Sequence, residues 1–198
     1  MARAYCVRGN PCLEYELDEN GNFIGDPRDS FKLTDRAIAL RSEKFKKCAE
    51  KRPPMAQLPV DLRPRRPDDG TPLLHYGFVF KFEQLMACAE RHNIVADGTP
   101  KELVPVRALW GVMGFLYREA RAVVFPQIPL STEYNHMVSL YSNYSVENDE
   151  FDEEDEREIV AIVKKELQIP EDVPIMWWWD ISNGPGCVAY PLSFSLLS

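Results

Sequence analysis

Between Leu13 and Leu17 apolar and acidic residues alternate strictly, with Leu13, Tyr15 and Leu17 on one side and Glu14 and Glu16 on the other. This is the period of a half-buried strand. Asn20-Gly21 then supplies a tight reversal, so Phe23 and Ile24 begin the returning limb of a hairpin. From Leu33 to Arg52 the period lengthens to that of a helix, with Ile38, Phe45 and Cys48 or Ala49 on one side and Thr34 as cap. Pro53-Pro54 must end it, because proline lacks the amide hydrogen and restricts the residue before it.

Residues 53–72 are a proline-rich crossover, extended and laid over the core. The stretch 73–82, LLHYGFVFKF, places Tyr76, Phe78 and Phe80 opposite His75 and Val79, and its apolar character on both sides predicts a central strand. A helix follows directly, turning Phe82, Leu85, Met86 and Ala89 inward, and a second begins at Pro105 with Leu109, Met113, Leu116 and Ala120 buried. A strand over 136–145 precedes a helix over 153–167 that buries Ile159, Val163 and Leu167. Residues 174–181 form another strand, and CVAY and LSFSLL finish the chain as short strands. This order predicts an α+β fold, with α/β as the alternative: a mixed β-sheet with about four helices packed on it. At 198 residues the chain reads as one domain, 1–198, large enough to bury roughly 70% of its unfolded surface without a disulfide or metal staple.

Charge refines this picture. The chain carries 23 Lys and Arg against 31 Asp and Glu. All of that excess lies in 147–158, an acidic helix start whose carboxylates face the positive end of the helix dipole, while Lys164 and Lys165 sit at the other end. It reads as a solvated face. The basic residues of 41–52 and 62–66 have acids among or beside them, Asp61 included, so no basic stripe is present and nucleic acid is not an expected partner. No run approaches a membrane span, and MARAYCVRGNPC lacks the apolar core of a signal peptide. Cys6, Cys12, Cys48, Cys88 and Cys187 are odd in number and scattered, so the expectation is reduced thiols and a cytoplasmic location.

Candidate chemistry is sparse. There is no Cys-x-x-Cys, no His-Glu-x-x-His and no paired histidines at helical spacing, so no recognisable zinc motif is present. The acidic run lacks the glycine of a calcium-binding loop, and no glycine pattern matches a phosphate-binding turn. The distinctive feature is MWWWD. In an extended strand Trp177 and Trp179 share a side with Ile175 and Ile181, while Trp178 lies with Met176 and Asp180. One side is core; the other presents a flat aromatic beside a thioether and a carboxylate, which suits stacking of a planar molecule.

The pattern LHYGFVFKFEQLMACAERHNIV, followed by HMVSLYSNYS and MWWWD, is similar to small uncharacterised cytosolic proteins of mushroom-forming fungi. In size and aromatic content the chain also resembles the pink chromoproteins of oyster mushrooms, which hold a small indolone pigment. The resemblance implies a binder of small planar molecules and assigns no residue a role. The expected function is therefore non-enzymatic binding of a planar aromatic ligand or organic chromophore among Trp177, Trp178, Trp179, Tyr76, Met176 and Trp110, with Asp180 or His75 giving a directional hydrogen bond. Two alternatives stand beside it. One is an enzyme using Cys88 or Cys187 with His75, His92 or His136; the other is an interaction module or homo-oligomer contacting partners through its acidic and proline-rich basic stretches.

Overall fold

The computed structural model describes residues 3–6, 11–26, 30–66, 70–149 and 151–184. The expected strands CVAY and LSFSLL lie outside these residues. Contacts group the chain into two compact units, 1–51 with 184–198 and 52–183.

In the first unit β1 (Arg3–Cys6) pairs antiparallel with β2 (Glu14–Leu17). The reversal after β2 forms as the sequence predicts. Asp18 Oδ1 accepts the amides of Asn20 and Asn22, Gly21 takes a φ of 85°, and Phe23 bridges back to Leu17. The short β3 (Gly25–Asp26) and β4 (Ser30–Phe31) continue this antiparallel run. Tyr15, Phe23 and Phe31 form its aromatic cluster. Helix α1 (Asp35–Glu50) starts at Thr34, whose hydroxyl accepts the Ala37 amide and donates to Glu14. One detail of its expected inner face is corrected: Ile38 is 52% exposed, and the adjacent Ala37 is buried in its place. The face that holds Phe45, Cys48 and Ala49 half-buried passes through position 37, one residue away.

The second unit is built on β5 (Leu74–Phe80), which lies between β7 (His136–Ser142) and β8 (Met176–Trp179), with β6 (Phe125–Gln127) beyond β7. All pairings are antiparallel. The sheet and the helices α2 (Phe82–Arg91), α3 (Val104–Ala120) and α5 (Glu153–Leu167), with the short α4 (Val146–Asp149), make the α+β fold the sequence predicts. Leu74, Phe78 and Phe80 of β5 join Leu85, Val112, Leu116, Val163 and Leu167 of the helices in one core. Helix α5 is capped by Asp152, whose carboxylate accepts the amides of Glu154 and Asp155.

The β5–β7 register shifts between Tyr76 and Gly77, where Tyr76 faces Tyr141 and Gly77 faces Ser139. Leu140 is thus the extra residue of a β-bulge, and it returns Tyr141 to the face that carries Val138 and His136. The proline-rich crossover is fastened at two places. Met55 exchanges both backbone hydrogen bonds with Trp177, covering the outer edge of β8. Buried Asn143 accepts the Leu74 amide and donates to the carbonyls of Leu62 and Pro72.

His136 lies between the rings of Phe80 and Phe82, at 5.7 and 5.9 Å. Burial there pushes its imidazole below the usual histidine range. The unfolded chain then takes up a proton near about pH 6.5 that the folded chain refuses, so stability is retained above that pH and declines below it. His136→Phe should flatten the decline between about pH 6.5 and 5. Denaturant melts across that range, compared with the unaltered protein, check this; an unchanged slope would refute the assignment.

Candidate functional site

The sequence-predicted residues fall into separate groups. Tyr76 and Trp177 face the helices. Their rings lie 5.1 Å apart, Tyr141 stacks on Tyr76 at 5.0 Å, and Trp177 is buried. Both tyrosine hydroxyls donate to Glu156 of α5, at 3.1 and 2.9 Å. Glu156 thus departs from the solvated reading of the acidic helix start, whose other described members in α5, Glu153, Glu154, Asp155 and Glu158, are exposed. Trp177 and Tyr141 of this group are buried.

On the opposite face His75 stands across from Trp178 and Gly77 across from Met176. Just beyond β8, Asp180 turns back to His75, whose Nε2 donates to Asp180 Oδ2 at 3.0 Å; the two residues are only 4% and 8% exposed. Asp180 Oδ1 accepts the Ser182 amide at 2.8 Å. Burial pushes the Asp180 carboxyl up, but the hydrogen bonds from His75 and Ser182 outweigh it and hold the group below the usual carboxylate range. Trp178 is half-buried, and Tyr134, which sequence reasoning missed, stands edge-on to it at 6.1 Å and 74°. Tyr134 precedes β7 in an irregular stretch without periodicity, so no sequence signal marked it. The alternation expected of the tryptophan triplet therefore holds, with Trp178, Met176 and Asp180 on the side of His75.

Trp179 is half-buried under the Arg52 guanidinium, 5.5 Å from the ring centroid. Its Nε1 is a buried donor with no acceptor among the described residues. Trp110 stands apart from the strand residues on the outer side of α3, 62% exposed, in a row with exposed Leu103 and Tyr117 at seven-residue spacing.

A third group joins the C-terminal ends of α2 and α5. Cys88 and His92 occupy positions i and i+4 of one helix face, the spacing at which side chains become neighbours. His92 Nε2 donates to Glu166 Oε2 at 2.7 Å, and Phe115 of α3 packs under the imidazole with ring centroids 4.0 Å apart. Arg91 lies 3.5 Å from the same carboxylate oxygen and donates to the Glu166 carbonyl. Burial pushes the Glu166 carboxyl up, but His92, Lys165 and Arg91 together hold it below the usual range. The Cys88 thiol is pushed up, by burial first and by Glu166, against the opposing effect of Arg91. It is 0% exposed, so as it stands it is a poor nucleophile. Of the other residues named for a thiol enzyme, Cys187 lies outside the described residues. The Cys-x-x-x-His spacing was visible in the sequence; Glu166, from another helix, was not.

These features define an α+β protein whose sheet carries an aromatic strand at one edge, backed by a buried imidazole–carboxylate pair. No protein-family model, curated protein or solved structure matches the chain. Among the described residues no helix is long and apolar enough to cross a membrane.

Proposed function

We propose that the protein binds a small, flat, largely apolar molecule against the Trp178 face of its sheet. The observation that supports this reading best is the corner formed by the half-buried Trp178 ring and the edge-on Tyr134. An indole face meeting a perpendicular phenol suits a planar molecule that stacks on one ring and meets the other edge to face. Met176, half-buried on the same side of β8, adds a polarizable contact. His75 and Asp180 satisfy each other, so their part is positional: they pin the end of β8 to β5 and hold Trp178 in place. Trp177, Trp179, Tyr76 and Trp110, included in the sequence expectation, are left out of this site. An organic pigment is one member of the ligand class and would announce itself by visible absorption of the native protein.

Tryptophan fluorescence titrated with planar heteroaromatic and indole-derived compounds tests the proposal. Saturable quenching is the expected result, with affinity weakened about tenfold in Trp178→Leu, in line with the loss of one aromatic stack. Absence of quenching across the panel, or equal affinity in a folded Trp178→Leu variant, would exclude this site.

A further inference from the structure

We propose a second site, independent of the first: Cys88, His92 and Glu166 form a three-residue centre for a divalent transition metal of the zinc type. Their sulfur, nitrogen and oxygen donor atoms all lie within 4.8 Å of one another. Four-coordinate zinc, with bonds of about 2.0–2.3 Å, holds its donors about 3.3–3.7 Å apart, so the His92–Glu166 pair, now at 2.7 Å, opens and side-chain movements of about 1 Å suffice. The mixture of donors selects the metal. A thiolate and an imidazole disfavour calcium and magnesium, which take oxygen, and favour zinc or its neighbours in the first transition row. Three protein donors leave a fourth position for water or another ligand.

The scaffold suits the role. Cys88 and His92 are fixed by one turn of α2, Glu166 belongs to the last turn of α5, and Phe115 limits the tilt of the imidazole. His92 is half-buried and gives the site its opening, while Cys88 and Glu166 are buried. Without metal, the cations facing Glu166 are Arg91 and Lys165, and the His92 imidazole is hydrogen-bonded to it. Arg91 also interacts with Cys88, so it occupies the electrostatic place of the ion. Its side chain is 36% exposed and can swing outward when the ion enters. On binding, the thiol releases its proton to solvent, the sulfur bonds the metal, and the imidazole carries its remaining hydrogen on the nitrogen that does not bond the metal. No electron is transferred.

Cobalt(II) added to the full-length, chelator-treated, reduced protein tests the site, because cobalt reports thiolate ligation by a charge-transfer band and tetrahedral geometry by intense visible bands. One equivalent should develop both, and zinc should abolish them by competition. Cys88→Ala and His92→Ala should each weaken binding at least about tenfold, Glu166→Gln should weaken it similarly, and Cys48→Ser should leave it unchanged. Arg91→Ala should tighten it, since the competing cation is gone; a merely structural cluster predicts no such gain. No thiolate band in the unaltered protein, or a band that persists in Cys88→Ala, would overturn the proposal. Should Cys88→Ala fail to fold, unchanged or weaker binding in Arg91→Ala would overturn it equally. Neither result touches the planar-ligand reading, which is measured without metal.

Discussion

Gly77→Ala is expected to destabilise the protein by about 3 kcal/mol or more, enough to lower the melting temperature by about 10 °C in a chain of this size. A methyl group on Gly77 would lie 1.9 Å from the Val138 carbonyl oxygen and 2.9 Å from the Ser139 Cα. These are backbone atoms of the neighbouring strand. They cannot rotate away as a flexible side chain would, so relief requires pushing β7 off β5 at the bulge, where Tyr76–Tyr141 pairing gives way to Gly77–Ser139. The same displacement would disturb Tyr76 and Tyr141, which share the Glu156 carboxylate. Thermal unfolding followed by circular dichroism gives the answer directly. A melting temperature within about 2 °C of the unaltered protein would show that the strands do not approach this closely.

The second large effect is expected at the His75–Asp180 pair. Asp180→Ala removes the buried acceptor of His75 and the carboxylate that receives the Ser182 amide, and should cost about 2–4 kcal/mol. Asp180→Asn keeps an acceptor oxygen and should recover part of the loss. The pH dependence has a definite sign. Because the Asp180 carboxyl is held below its usual range in the folded state, its contribution is complete above the unfolded value near about 3.9. It is lost as pH falls from there through the folded value. Chemical denaturation at neutral pH and at about pH 3 should therefore show a smaller difference between the unaltered protein and Asp180→Ala at the acid end. An equal difference at both would mean that the carboxylate charge contributes nothing. Under the proposed function, Asp180→Ala should also weaken planar-ligand binding, since Trp178 would lose the link that fixes its strand end to β5.

Much of this framework was legible along the chain. The opposition of His75 to Phe78, the apolar character of both sides of 73–82 and the proline at 105 were enough for a central strand and the helices around it, because these are local consequences of side-chain direction and backbone restriction. The alternation in MWWWD likewise placed Trp178 with Met176 and Asp180. Glu156 was misread for the same local reason: its neighbours are solvated, and nothing within the segment announces the two tyrosines that reach it from the sheet. Ile38 failed by a single position, because the periodicity of a weakly apolar helix does not choose between adjacent faces.

The chain alone thus determined the principal strands and helices and which side of β5 and β8 each aromatic takes, since a pleat and a helical turn repeat over short distances. The elements β1, β4, β6 and α4 are too short to carry such a signal, and the strand expected over 136–145 ends at Ser142. Tertiary structure decided the rest. The bulge at Leu140 turns Tyr141 toward Tyr76, Asp180 returns to His75 across 105 positions, and Glu166 of one helix meets Cys88 and His92 of another. Such meetings depend on strand register and helix packing, which are set by the fit of the whole core and leave no periodic trace in any one segment.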